Sequence, residues 1–208
     1  MGIEERKQRE KEQMRRLILD AARAIFLEKG YYQASIRNIA DKIEYSPGTI
    51  YLYFKEKDEI FLALHNEAFG QLFELMAPLR MVEDPFERLI AMGRIYTDFA
   101  LKNKDLYDLM FIMQAPMNML DDACHWTEGD RVFDYLVDTI RQCQAGGRMQ
   151  GHDPYTLSFS IWSAMHGMCA LYCRDRMMVV AHVADEFSDE AELLEGSFRC
   201  YIDMLRKL

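Results

Sequence analysis

Apolar residues recur along this chain at three- and four-residue intervals over long stretches, the spacing of helices with one buried face. Met14, Ile18, Ala21, Ala22, Ile25 and Phe26 predict a helix over about 13–29, closed by Gly30 as a C-terminal cap. Ile36, Ile39, Ala40 and Ile43 predict a second, short helix from Ser35. After a turn at Glu44-Tyr45, Ser46 as N-cap and Pro47 at the first helical position open a third over 47–54. A fourth starts near Lys57 and runs to about Arg80. Asp84-Pro85-Phe86-Glu87 opens the next, to about 102, and a shorter helix covers about 104–114. The segment 115–126 reads as irregular. Helices then follow at about 127–144, 154–176 and 188–207, the second apolar nearly all round. The fold class is therefore all-α, with nine helices. A boundary near Lys57 divides a domain at 1–56 from one at 57–208.

Composition supports this. Half of the 208 residues are hydrophobic, and 11 glycines and 5 prolines are too few for the frequent turns of a sheet protein. No apolar run approaches the roughly 18 residues of a membrane span, and the charged MGIEERKQREKEQMRR lacks the apolar core of a signal peptide. No membrane association and a cytoplasmic location are expected. Five cysteines at irregular spacing, with no CxxC pair, read as reduced small hydrophobes rather than a zinc site. The net charge of −9 is unevenly spread. Residues 1–60 hold 12 Lys+Arg against 11 Asp+Glu, and the rest hold 13 against 23. Only the N-terminal end is suited to approach a polyanion. The charged arm before residue 13 mixes both signs and reads mainly as solvated.

The stretch YSPGTIYLYFKEKDEI carries the chemistry. On a helical wheel Ile50 and Phe54 share the side that packs inward, while Leu52 points away with Gly48 and Thr49 beside it. Tyr51 and Tyr53 lie on the flanks. Eight residues make a rod about 12 Å long, which fits a major groove about 12 Å wide. The tyrosine hydroxyls are then set to reach phosphates on either wall. Two helices joined by a short turn, the second narrow, describe a helix-turn-helix. A plain helical hairpin with half-buried tyrosines is the commoner arrangement for a bare helix pair. The order of residues decides between them.

SIRNIADKIEYSPGTIYLYFKEKDEI resembles the DNA-binding motif of the tetracycline-repressor (TetR) family of bacterial transcription regulators. The resemblance rests on Ser35, Arg37, Ile39-Ala40, Ser46, Gly48, Thr49, Ile50, Tyr51, Tyr53, Phe54 and Lys57 and covers about residues 13–62. It implies a TetR-like nine-helix architecture: a three-helix DNA-binding domain followed by a ligand-binding and dimerisation domain. It also implies contacts to operator DNA from Ser35, Arg37, Pro47, Gly48, Thr49, Tyr51, Tyr53 and Lys57, and Ser46 and the outward-pointing Leu52, set to touch a thymine methyl, complete the DNA-binding candidates. One departure stands out: the family usually has Gly-Val in the turn, where this chain has Glu44-Tyr45. A left-handed backbone there costs a non-glycine residue roughly 1 kcal/mol.

The same resemblance implies a homodimer joined through the last two long helices, with Phe159, Met165, Leu171, Leu194, Phe198, Tyr201 and Leu205 as interface candidates. IWSAMHGMCAL also resembles a Trp-x-x-x-His-Gly signature of one class of C-terminal domain in the family. Residues 57–145 are rich in Met and aromatic side chains, adaptable material for an apolar or aromatic inducer. Ligand-binding candidates are Phe69, Phe73, Tyr96, Phe99, Met110, Phe111, Met113, Trp126, Trp162 and His166, although such stripes are core more often than pocket. His166, Cys169 and Cys173 share one helix face but span over 10 Å along it, so buried thiols and a core histidine are the simpler reading. No cofactor is expected.

Three classes of function are open to such a chain. The favoured one is a dimeric, ligand-responsive, DNA-binding regulator, as a repressor released from a palindromic operator by a small inducer. An enzyme lacks support, because no phosphate loop, paired-His motif or nucleophile elbow is present. A helical protein-binding module without operator binding is the remaining alternative.

Overall fold

The computed structural model describes residues 2–115, 127–179 and 189–208. Among them are no strands, and the α-helices are α1 Ile3–Gln33, α2 Ile36–Lys42, α3 Pro47–Tyr51, α4 Lys57–Met76, α5 Pro85–Lys102, α6 Lys104–Tyr107, α7 Thr127–Ala145, α8 Pro154–Cys173 and α9 Glu190–Leu205, with residues 177–179 helical as well. A 3-10 turn, Ala77–Met81, follows α4, and a π-turn, Asp108–Ile112, follows α6.

Boundaries follow local chemistry. Asp84, Asp153 and Asp189 each cap the helix behind them by accepting from its first free N–H groups. Gly30 breaks α1 at φ +74°, as a glycine stop should, and residues 31–33 form one further turn. Several boundaries differ from the periodicity, three of them with a clear local cause. α1 begins at Ile3, because the charged arm is itself helical, with Arg6 paired to Glu10 one turn on. α4 stops at Met76, where Pro78 removes a helical N–H and the chain tightens to 3-10. α6 is only one turn before the π-turn, where Met113 N–H reaches back five residues to the Asp108 carbonyl at 2.8 Å.

By spatial proximity the chain forms two compact units: residues 1–69 with 105–127, and residues 70–104 with 128–208. The first is built on α1, α2, α3 and the start of α4. Its core holds Ile18, Ala22, Phe26, Ile39, Ala40, Ile50, Phe54 and Phe61, joined by Leu109 from the π-turn. Fully burying each large side chain contributes roughly 1.5–3 kcal/mol. Ala40 is fully buried, a small residue among the packed short helices. His65 donates its Nε2–H to the Met110 carbonyl at 3.1 Å, tying α4 to the π-turn, and burial lowers its pKa.

In the second unit α8 packs on α5 and on α9. Gly93 of α5 makes this possible: a Cβ there would stand 2.9 Å from the Phe198 ring of α9. Arg94 lies over the same ring at 4.7 Å and forks onto Glu195 at 3.0 and 3.1 Å. No described helix is long and apolar enough to cross a membrane.

Candidate nucleic-acid interface

The helix-turn-helix is assembled by caps at both starts. Ser35 Oγ accepts from Asn38 N–H at 3.2 Å, while the Asn38 side chain accepts from Ser35 N–H at 3.1 Å, closing a capping box on α2. Ser46 Oγ accepts from Thr49 N–H at 3.3 Å and lies 3.1 Å from Thr49 Oγ1, fixing the first turn of α3. Pro47 fills the first helical position.

Between them the chain leaves α2 through a Schellman turn. Tyr45 N–H bonds the Ala40 carbonyl at 3.0 Å and Glu44 N–H bonds Asp41 at 3.3 Å. Glu44 occupies the left-handed position with φ +60°. The strained backbone anticipated at this non-glycine turn is present.

The wheel assignment of α3 also holds. Ile50 and Phe54 are buried, with Arg15 of α1 lying 4.3 Å over the Phe54 ring. Leu52 is 78 % exposed and Tyr51 55 %. Pro47, Gly48, Ser46, Ser35 and Arg37 are exposed, while Thr49 and Tyr53 are half-buried on the flanks. α3 itself ends at Tyr51, and residues 52–54 continue it as a tight turn held by bonds to Thr49 and Ile50. At Gly48 a Cβ would meet only Ser46 Oγ at 3.5 Å, so nothing inside the protein requires glycine there.

Lys57 is placed differently from the expectation of a phosphate contact. Its ammonium donates to the carbonyls of Tyr31 and Ala34 at 2.7 and 2.9 Å and sits 4.1 Å over the Tyr31 ring. Those carbonyls lie at the C-terminal end of α1, so Lys57 clamps α4 to α1. Burial lowers its pKa, with Asp58 opposing. Tyr31 in turn donates to Asp58. Sequence spacing placed Lys57 correctly but carried no information on the carbonyls that would claim its ammonium. Tyr45 and Lys55, not among the sequence candidates, are also exposed beside α3. The signal for Tyr45 was its position next to the N-cap of a helix already read as outward-facing.

The ligand-binding candidates fall into separate groups. In the first unit Phe69 meets Phe111 edge-on at 5.3 Å, Met110 is buried, and Met113 packs against the DNA-binding core. In the second, Trp162 Nε1–H donates to Tyr96 Oη at 3.3 Å, and Tyr96 Oη lies 3.3 Å from His166 Nδ1. Donation by Tyr96 to Nδ1 continues that chain of bonds and leaves the imidazole proton on Nε2. Burial lowers the His166 pKa. Phe99 is buried, and Phe73 stands edge-on to Tyr135 at 6.3 Å. Trp126 lies outside the described residues.

Of the interface candidates, Met165, Leu194, Phe198 and Leu205 fill the core of the protomer itself, because α8 and α9 turn these residues toward α5 and each other. Phe159 and Leu171 are 53 % and 48 % exposed and Tyr201 is half-buried. Gly167, midway along α8, has open space where a Cβ would stand.

Cys169 is buried and its thiol is pushed up to about 12 by desolvation, so it stays protonated. Cys173 donates to the Ala100 carbonyl at 3.6 Å. Among the described residues no group of three His, Cys, Asp or Glu side chains is placed to hold a metal ion.

Comparison with known proteins agrees with this geometry. Residues 18–64 match the family described as bacterial regulatory proteins, tetR family, and residues 89–194 match the tetracyclin repressor-like C-terminal domain. The HTH-type transcriptional regulator HbdR of Aromatoleum sp. (strain CIB) is 30% identical over 157 residues, covering 74% of this chain and 68% of HbdR. A TetR-family transcriptional regulator from Syntrophomonas wolfei superposes with a TM-score of 0.72 at 22% identity, covering 95% of this chain and 96% of that one. FadR of Bacillus subtilis, solved with stearoyl-CoA, superposes with a TM-score of 0.69 at 21% identity, covering 91% and 96% of the two chains.

Proposed function

The chain belongs to the TetR family of bacterial transcription regulators, and from that premise we propose a repressor that binds a palindromic operator as a homodimer and is released by a small apolar or aromatic ligand. It is a regulator and not an enzyme. The observation that carries the DNA-binding reading is the outward surface of α3. Pro47, Gly48, Tyr51 and Leu52 are exposed on a helix whose Ile50, with Phe54 just beyond it, is locked into the core. In the proposed complex Tyr51, Tyr53, Thr49 and Arg37 engage phosphates, Leu52 meets a thymine methyl, and Gly48 lets the backbone come close. Ser35 and Ser46 hold the two helix starts in register. Lys57 acts through α1, keeping α4 and the helix pair in place.

One short recognition helix reads few base pairs, so two copies are needed for a specific site. The proposed interface is the outer face of α8 and α9, where Phe159 and Leu171 are exposed and Gly167 and Tyr201 half-buried, while Met165, Leu194, Phe198 and Leu205 support it from behind. A helix closely approaching Gly167 would account for a mid-helix glycine that costs about 1 kcal/mol relative to Ala. The ligand is proposed to lie in the domain 57–208, its apolar body against Met and aromatic side chains and a polar group near the bonded trio of Trp162, Tyr96 and His166. The stearoyl-CoA bound by FadR of Bacillus subtilis supports testing acyl thioesters among the candidates. Ligand binding would shift the spacing of the two recognition helices and release the operator. A bacterial regulator of this kind works in the cytoplasm.

The test is selection of bound duplexes from a random pool by the purified chain at low salt. Enrichment of a palindrome with half-sites about one helical turn apart is expected. A folded, dimeric protein that enriches no sequence would overturn the operator reading and favour a protein-binding module.

A further inference from the structure

The DNA-binding surface and the Trp162 trio leave one polar cluster in the second unit without a role. Tyr135 of α7 is 7 % exposed, and its hydroxyl has no hydrogen-bond partner among the described residues. A buried hydroxyl left this way is costly unless something outside the chain completes it. Its neighbours are unusual in charge. Arg80 lies across it, with the guanidinium carbon 5.4 Å from the Tyr135 ring centre and 5.7 Å from that of Phe73. Arg131 stacks on Phe73 at 4.1 Å, but its charge is matched by Glu128 at 2.7 and 2.8 Å.

Arg88 is 7 % exposed. Its guanidinium donates to the Val82 carbonyl at 3.1 and 2.6 Å and to Gln142 Oε1 at 2.7 Å. Neither Arg80 nor Arg88 pairs with a carboxylate among the described residues. Burial pushes the Tyr135 hydroxyl up, and Arg88 and Arg80 oppose it. A buried Tyr O–H with the Arg80 guanidinium over its ring is completed by an acceptor carrying negative charge. The immediate surroundings are otherwise apolar: Phe73 and Met92 are buried, and the Thr139 hydroxyl is spent on the Tyr135 carbonyl at 2.8 Å.

We propose that Tyr135, Arg80 and Arg88 form a subsite for the oxyanion of an amphipathic ligand, a carboxylate or a phosphate ester on an apolar body. Tyr135 Oη donates to the oxyanion, and Arg80, untethered to any carboxylate, turns from the ring faces to share it. Arg88 stays on its carbonyl and amide partners and supplies field rather than a contact. The inference deepens the reading of the chain as a ligand-responsive regulator by naming the charge that its ligand carries.

The experiment uses the full chain with three ten-carbon probes at matched ionic strength: decanoate, decyl phosphate and decanol. Binding is read by thermal shift and calorimetry. At least one of the two acids should raise the melting temperature more than decanol, and the one that does identifies carboxylate or phosphate as the source. Tyr135→Phe should weaken that acid about tenfold, a factor worth 1.4 kcal/mol, and leave decanol binding unchanged. Arg80→Gln should weaken it too. Without ligand, Tyr135→Phe should melt no lower than the parent, because no bond is lost. Equal binding of the acids by parent and Tyr135→Phe would overturn the subsite, as would a lower unliganded melting point, which would mean that water already satisfies the hydroxyl. If no probe binds while some other compound releases DNA, the subsite falls and the regulator stands. If the acids bind as expected but no compound of any class releases operator DNA, the subsite stands and the ligand-responsive reading falls.

Discussion

Glu44 shows how one side chain can sit against the preference of its own turn. At φ +60° it occupies a place that favours glycine, and the Schellman bonds around it hold it there. Replacing it by glycine should raise stability by about 1 kcal/mol. It should also tighten operator binding, because a carboxylate beside the phosphates is removed. Denaturant melts and titration of a selected duplex check both parts, and weaker binding by Glu44→Gly would refute the second. The imidazoles make a separate prediction. His65 and His166 titrate below the ordinary histidine value because burial disfavours their charged forms. The unfolded chain then takes up protons that the fold does not, so stability should fall as pH drops through about 6.5 toward the lowered folded values. The urea midpoint at pH 7.5 and pH 5.5 measures this, and His65→Gln should shrink the difference between them. A pH dependence identical in His65→Gln would assign the effect elsewhere.

Among the helices, glycines at two positions should respond oppositely to the same change. Gly93→Ala drives a methyl to 2.9 Å from a buried phenyl ring, so α5 and α9 must separate or Phe198 must leave its place. A loss of about 1–3 kcal/mol is expected. Gly167→Ala meets nothing within the protomer, and removing a mid-helix glycine should stabilise the monomeric fold by about 1 kcal/mol. On the proposed interface the same methyl should weaken dimerisation. Sedimentation and melting of the two variants separate these effects. A Gly167→Ala chain that dimerises as tightly as the parent would move the interface away from the middle of α8. Helix existence was readable from periodicity because burial of one face repeats every 3.6 residues. Helix ends were readable where Asp-Pro or Ser-Pro marked them. The π-turn after α6 was not, since it depends on how Leu109 and Met110 are drawn into a neighbouring core, whereas the 3-10 turn after α4 has a local cause in Pro78 that the apolar periodicity ran past.

As a whole the chain is acidic, with its near-neutral part confined to the first 60 residues. Operator affinity should therefore depend on few phosphate contacts and fall only moderately with salt, while the C-terminal part repels non-specific DNA. The slope of log affinity against log salt, compared between the parent and Arg37→Ala, reads this directly, because the slope counts phosphates neutralised by cations. A slope unchanged by the substitution would remove Arg37 from the phosphate contacts. The sequence alone determined the all-helical class, the helix-turn-helix with its buried Ile50 and Phe54, and the family, because caps, periodicity and the motif are encoded within a few neighbouring residues. Only the tertiary structure decided that the Lys57 ammonium closes the end of α1, that Met165, Leu194, Phe198 and Leu205 are buried within the chain's own core, and that Tyr135 lies beside Arg80 with its hydroxyl unpartnered among the described residues. Each of these turns on which distant side chain or carbonyl arrives alongside. Such contacts join residues far apart in sequence, where no local spacing can record them.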